Sequence, residues 1–249
     1  MGNISEFDHE FARYAAEEAG KLLLKIRRDA SNSSVPTEEV GSSGDALSHE
    51  LLVEMISETF PDDAIISEES TEGPIRHTKD RVWIIDPLDG TREYCIEGRS
   101  DWAVHVALVH AQKPVAAAVS LPSLGKTFST QKPQNPPASS GKVKVVCSRT
   151  RPVPVAEFIS NQLEGELLFM GSAGAKAMAV LTGDADIYAH AGGQYEWDSC
   201  APVAVALAAG AHASRLDGSP VNYNQKNLYV PDLLICRKEL ANTVLTLLN

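Results

Sequence analysis

The residues best placed to do chemistry stand in Val82-Trp83-Ile84-Ile85-Asp86-Pro87-Leu88-Asp89-Gly90-Thr91, an apolar run that ends abruptly in two acids three residues apart. The run predicts a strand stopped by Pro87, with Asp86 at its end and Asp89 one turn further on. In that arrangement both carboxylates and the Leu88 carbonyl can converge on hard cations, which take oxygen ligands. Gly90 would let the backbone approach a phosphate closely. The plainer alternative is a strand followed by a proline-aspartate-glycine turn that binds nothing.

Two further places supply acids. Ala64-Ile65-Ile66-Ser67 predicts a short strand that delivers Glu68 and Glu69, and such a strand end is either solvated or metal-bound. Trp197-Asp198-Ser199 opens a helical pattern. Asp198 there is either the N-cap that accepts the first free amides or a ligand beside the positive end of the helix dipole, where phosphate is also favoured.

The elements that must position these groups follow from periodicity. From Ser5 to Arg28 the apolar residues Phe7, Phe11, Tyr14, Ala15, Leu22, Leu23 and Ile26 predict a long amphipathic helix with Ser5 as N-cap. A polar stretch over 29–44 follows, and Leu47, Leu51, Leu52, Met55 and Ile56 predict a second helix with Asp45 at its start and Pro61 beyond its end. Trp102 to Val109 and Val115 to Leu121 predict paired strands. The prolines, Ser and Asn of Gln131–Gly141 read as a surface loop between two halves, 1–130 and 142–249, with the acids of both facing a site between them. The second half predicts a strand at Val143–Ser148 and a helix at Ser172–Thr182 closed by Gly183. A strand at Ala185–Ala189 and a helix from Asp198 to Gly210 follow. Alternating helices and strands argue for an α/β chain of the α+β kind, with helices layered on mixed sheets.

Composition narrows the function classes. The chain has 249 residues, 43% of them apolar, and a formal charge of -11. So acidic a surface repels nucleic-acid polymers and anionic lipid. A small phosphorylated substrate is compatible with it only where bound divalent cations reverse the local field. Cys95, Cys147, Cys200 and Cys236 form no C-x-x-C pair, so zinc and redox dithiol sites are not indicated. The N-terminal stretch lacks the pattern of a signal peptide, and no apolar run reaches the roughly 18 residues of a membrane span. A cytoplasmic protein with no membrane partner is expected.

Taken together, Glu68-Glu69 after an apolar strand, Asp86-Pro87-Leu88-Asp89-Gly90-Thr91, and Trp197-Asp198 before a small-residue helix resemble the lithium-sensitive, magnesium-dependent phosphatase superfamily of inositol monophosphatases, over nearly the whole chain and in the same order. Within it, Thr91-Arg92-Glu93-Tyr94, Gly171-Ser172-Ala173-Gly174-Ala175-Lys176 and Gly192-Gly193-Gln194-Tyr195-Glu196-Trp197-Asp198 resemble the CysQ-type 3'(2'),5'-bisphosphate nucleotidases. The resemblance implies the layered αβαβα sandwich shared with fructose-1,6-bisphosphatase. It implies two or three Mg2+ ions held by Glu68, Asp86, the Leu88 carbonyl, Asp89 and Asp198. Asp45 and Thr91 would orient the attacking water and help deprotonate it. Gly90 and Thr91 would cradle the phosphate, and Ser172 and Lys176 would meet the rest of a phosphorylated nucleotide. Read alone, Asp45 is a helix N-cap and Lys176 a solvated surface lysine. The resemblance also implies hydrolysis of 3'-phosphoadenosine 5'-phosphate, or its sulfated form, in sulfate assimilation, and family members often form homodimers.

One departure bears on substrate. Ala191 stands where inositol monophosphatases carry an inositol-binding glutamate, seven residues before the aspartate that follows tryptophan, which weakens inositol phosphate as the main substrate. His190 beside it could line a nucleotide pocket. The competing readings are a broad phosphatase of inositol monophosphate or fructose 1,6-bisphosphate, and a non-catalytic metal-binding protein of the same fold. A haloacid-dehalogenase phosphatase needs Asp-x-Asp, whereas the spacing here is Asp-x-x-Asp. A P-loop kinase needs a glycine spacing that Gly171–Ala177 lacks.

Overall fold

The computed structural model describes residues 4–31, 36–70, 73–139 and 141–249. Two helices come first. Helix α1 (Glu6–Ser31) turns Phe11, Ala12, Ala15, Ala16, Ala19 and Leu23 inward at three- and four-residue steps. Ser5 stands just before it, and the bond there runs from the Ser5 backbone N–H to the Asp8 carboxylate, 2.7 Å away. Helix α2 (Thr37–Thr59) begins well before the expected start, so Asp45 lies inside it and is no N-cap. Its polar, glycine-containing first half is helical because it needs close approach rather than apolar bulk. A Cβ on Gly41 would lie 2.9 Å from Cys95 Sγ and 3.0 Å from Thr91 Cγ2, and one on Gly44 would lie 3.1 Å from Leu88 Cδ2. Each glycine costs a helix about 1 kcal/mol, a cost offset here by contact with the ends of the next elements. Residues 32–35 of the expected polar stretch lie outside the described residues.

The first sheet has the order β1-β2-β3-β4-β5: β1 (Ala64–Ser67), β2 (Arg81–Asp89), β3 (Ala103–His110), β4 (Lys113–Leu121) and β5 (Lys126–Ser129). β1 and β2 run parallel and the rest antiparallel. Alternation sorts its side chains into two cores. Ile65, Trp83, Ile85, Val104, Val106 and Leu108 pack with α1 and α2. Ile66, Val82, Ile84, Ala107, Val109 and Val119 face the other way.

The second sheet has the order β7-β6-β8-β10-β9: β6 (Lys144–Ser148), β7 (Glu166–Met170), β8 (Ile187–Tyr195), β9 (His212–Ser214) and β10 (Tyr229–Cys236). Helices α5 (Ala173–Thr182) and α6 (Glu196–Ala208) lie between the two sheets, and their small apolar residues share one core with both. Helices α4 (Pro154–Gln162) and α7 (Ala241–Leu248) cover the far face. The layers therefore run α1/α2, first sheet, α5/α6, second sheet, α4/α7, which is the expected αβαβα sandwich. Residues 131–139 and 141 are neither helix nor strand.

Three boundaries differ from expectation near the acids. β2 is not stopped by Pro87 but continues to Asp89. Asp86 pairs with His105 and Asp89 with Ala103, three steps against two, so the proline sits in a bulge where its missing N–H leaves no ladder bond unmade. β8 runs on to Tyr195 rather than ending at Ala189. Helix α6 begins at Glu196, so Asp198 occupies its third position, and its carboxylate accepts the backbone N–H of Tyr195 at 2.6 Å instead of capping from outside.

Candidate active site

The β2 bulge, the short helix α3 (Thr91–Tyr94) and the N-terminal ends of α5 and α6 meet at one cleft of about 650 Å³. Its lining includes Glu68, Asp86, Leu88, Asp89, Gly90, Thr91, Ser172, Lys176 and Asp198. Among the described residues, Asp86, Asp89 and Asp198 each bring a carboxylate oxygen to within 4.8 Å of the others. The three come from positions 86, 89 and 198 of the chain, so only the folded state gathers them.

α2 is fixed against this cleft by polar contacts. Ser48 Oγ donates to the Pro87 carbonyl at 2.8 Å, and His49 Nδ1 lies 2.9 Å from Ser67 Oγ at the end of β1, just before Glu68. Asp45 projects from this helix to Thr91. The Thr91 hydroxyl stands 3.3 Å from Asp45 Oδ1 and 3.2 Å from the Leu88 carbonyl, two acceptors for one proton. Gly90 adopts φ +90°, a left-handed conformation that turns β2 directly into α3.

Asp89 is held from several directions. Its Oδ2 accepts Ser172 Oγ at 2.6 Å and the Gly174 amide at 2.7 Å, and Oδ1 accepts the Ala173 amide at 3.2 Å. It therefore shares the capping of α5 with Ser172, whose hydroxyl accepts the Ala175 amide. His105 Nε2 lies 3.1 Å from Asp89 Oδ2, an ionic contact off the line of a hydrogen bond, and His105 Nδ1 lies 3.0 Å from the Trp197 carbonyl. Oxygens beside both ring nitrogens favour the doubly protonated imidazole. Burial works against that charge, yet Asp89 and the Trp197 carbonyl keep the His105 pKa above its usual value. Burial likewise works against Asp89, and His105, Lys176 and Ser172 bring its carboxyl down to about 2.

The neighbouring acids are pushed the other way. Burial and then Asp89 and Glu68 raise Asp86 well above the carboxylate range. Burial and Asp89 take Asp198 to about 6 against the pull of the Tyr195 amide, His105 and Lys176. Burial and Glu69 take Asp45 to about 7 against the Thr91 hydrogen bond. Glu68 is raised by loss of hydration around its carboxyl and by Asp198, although the residue faces solvent on one side and water dilutes the effect. Crowded, mutually repelling carboxylates are what a divalent cation relieves. An all-oxygen donor set without thiolate or imidazole fits a hard ion.

Lys176 is not a solvated surface lysine. It is buried in the wall of the cleft, and its ammonium donates to the carbonyls of Gly171 and of Ser172, the latter at 2.8 Å. Burial lowers its pKa while Asp89 and Asp198 resist. Sequence reasoning did not single out His105, although a histidine among alternating Ala and Val in β3 was a visible signal. Nor did it single out Arg151, which also lines the cleft.

The model of the Inositol monophosphatase family matches residues 4–248. The chain belongs to the inositol monophosphatase family. Among family members it is 47% identical to the 3'-phosphoadenosine 5'-phosphate phosphatase of Mycobacterium bovis, over 92% of this chain and 88% of that one. The protein of the same description from Mycobacterium leprae is 43% identical over 96% of this chain and 92% of that one. The 3'(2'),5'-bisphosphate nucleotidase CysQ of Escherichia coli K12 is 27% identical over 86% and 93%. In structure, CysQ from Bacteroides thetaiotaomicron superposes with a TM-score of 0.79 at 25% identity, covering 94% of this chain and 98% of that one. The Staphylococcus aureus inositol monophosphatase II, with a TM-score of 0.78 at 19% identity over 95% and 91%, shares the fold. No described helix is long and apolar enough to cross a membrane.

Proposed function

We propose that this protein is a magnesium-dependent phosphomonoesterase that removes the 3'-phosphate of 3'-phosphoadenosine 5'-phosphate, releasing adenosine 5'-phosphate in the course of sulfate assimilation. The observation that carries the reading is the convergence of Asp86, Asp89 and Asp198 at the N-terminal ends of α5 and α6, in a chain 43–47% identical to phosphatases of that description. Four unpaired cysteines fit a reducing, cytoplasmic compartment.

In this reading Glu68, Asp86, the Leu88 carbonyl, Asp89 and Asp198 hold two or three Mg2+ ions. When bound, these ions neutralise the phosphate, acidify water and stabilise the departing alkoxide. The chain's own residues do the rest. The amides of Gly90 and Thr91 hold the phosphate at the start of α3. Thr91 Oγ and Asp45 orient the attacking water in line with the leaving oxygen, and the Asp45 carboxylate takes its proton. A carboxyl with a pKa near 7 is matched to that proton transfer at neutral pH. Lys176 contributes positive charge from the wall. Ser172 fixes the Asp89 carboxylate through its hydroxyl.

The test is phosphate release with Mg2+ from 3'-phosphoadenosine 5'-phosphate, inositol 1-phosphate and fructose 1,6-bisphosphate, compared by kcat/KM. The nucleotide is expected to lead by at least about 10-fold. Equal or higher efficiency on inositol or fructose phosphates would move the assignment to a broad phosphatase.

A further inference from the structure

β8 carries two buried polar side chains that line the cleft with an unused atom each. His190 and Gln194 are 5% and 4% exposed. Among the described residues, His190 Nδ1 and Gln194 Oε1 have no hydrogen-bond partner. The other end of each side chain is committed. His190 Nε2 lies 2.5 Å from the Gly192 carbonyl, so that nitrogen carries the proton and Nδ1 is left as an acceptor. Gln194 Nε2 donates to Tyr188 Oη at 2.7 Å, which leaves Oε1 as an acceptor as well. A buried acceptor without a partner costs a fold about 1–3 kcal/mol, and two on one cleft wall mark a place where a ligand supplies the donors.

The surroundings define the donor. Burial, Lys176 and Arg151 hold His190 neutral, with a pKa of about 4, against the opposing Gly192 carbonyl. The Arg151 guanidinium lies 3.1 Å from where a Cβ on Gly193 would sit. A cationic donor would meet repulsion from both basic groups, so the wall suits a neutral donor such as a hydroxyl. We infer that His190 Nδ1, seconded by Gln194 Oε1, receives the ribose 2'-hydroxyl beside the scissile 3'-phosphate and so selects a ribonucleotide. This rests on the nucleotide reading of the site given above.

The experiment compares 3'-phosphoadenosine 5'-phosphate with its 2'-deoxy analogue by kcat/KM, and adenosine 5'-phosphate with 2'-deoxyadenosine 5'-phosphate by calorimetric Kd, in wild type, His190→Phe and His190→Asn. Wild type is expected to favour the ribose form by about 10-fold or more in both readouts. His190→Phe should collapse that ratio toward one, and His190→Asn, with an amide oxygen near the Nδ1 position, should restore part of it. A wild type indifferent to the 2'-hydroxyl overturns the inference, and so does a His190→Phe protein that keeps the full ratio. Should that variant fail to fold, the wild-type ratios and His190→Asn still decide. The nucleotide reading fails separately, if wild type turns over inositol 1-phosphate better than the nucleotide whatever the ribose ratio in Kd.

Discussion

Asp89 at the end of β2 accepts the hydroxyl of Ser172 at 2.6 Å, a bond that joins the first sheet to the start of α5 across 83 residues of chain. The same carboxylate is a proposed Mg2+ ligand, so its two oxygens serve the fold and the reaction together. Asp89→Asn separates the two in magnitude. The amide would turn an N–H2 group toward one of the donors now bound, at a cost of about 1–3 kcal/mol, or roughly 2–12 °C in Tm for a chain of this size. The loss in kcat should be far larger, about 100-fold or more, because a charge that balances the ions is removed. Near-normal turnover in a folded Asp89→Asn protein would remove Asp89 from the ligand set.

The raised acids make stability depend on pH and metal together. Asp45, Asp86 and Asp198 hold protons to higher pH in the folded chain than in the unfolded one, where carboxylates titrate near pH 4. The folded state thus binds more protons, and metal-free stability falls as pH rises from about 4 through about 7. Asp89 has the opposite sign, with stability that is present above about pH 4 and lost only as pH falls toward 2. Mg2+ bound as proposed would replace the missing protons. Thermal unfolding in EDTA should show Tm declining from pH 5 to pH 8, and Mg2+ should raise Tm more at pH 8 than at pH 5. An equal Mg2+ shift at both values would mean that these carboxylates do not bind the ion.

Away from the cleft, Arg237 after β10 and Asp186 before β8 form an ion pair buried on both sides, Nε to Oδ1 at 2.6 Å. Asp186 also accepts Ser139 Oγ and the Lys144 amide, which ties the loop before β6 to the second sheet. Arg237→Ala leaves a buried carboxylate unpaired and should cost about 3–5 kcal/mol, roughly 6–20 °C in Tm. KM of the folded fraction should stay at the wild-type value. A Tm within a degree of wild type would show that water reaches Asp186.

How far the sequence can be read follows from what each segment needs. Asp86, Asp89 and Glu68 are legible because apolar strands end in acids, and α5 is legible because Ser172 and Gly183 mark both its ends. The first half of α2 is not, since Gly41 and Gly44 are chosen for contact with Thr91, Cys95 and Leu88, none of which is near in sequence. β2 hides its last residues because proline forbids a ladder bond in general but not in a bulge. β7, β9, β10, α4 and α7 give weak signals, being short and held by pairing with distant strands or by the outer core. The burial of Lys176 in the cleft wall and of His105 beside Asp89 is encoded by no local pattern.

That dependence of α2 on close approach can be tested directly. In an isolated helix Gly→Ala adds about 1 kcal/mol. Here a methyl on Gly41 would press on Cys95 Sγ at 2.9 Å and Thr91 Cγ2 at 3.0 Å, and Thr91 is the partner of Asp45. Gly41→Ala should therefore leave Tm unchanged or lower and reduce kcat by about 10-fold, since a displacement of even 1 Å costs catalysis dearly. Ser43→Ala on the exposed face of the same helix should gain a few tenths of a kcal/mol with kcat unchanged. If Gly41→Ala instead raised Tm at full activity, α2 would have room to move, and Asp45 would not be held to Thr91 by packing.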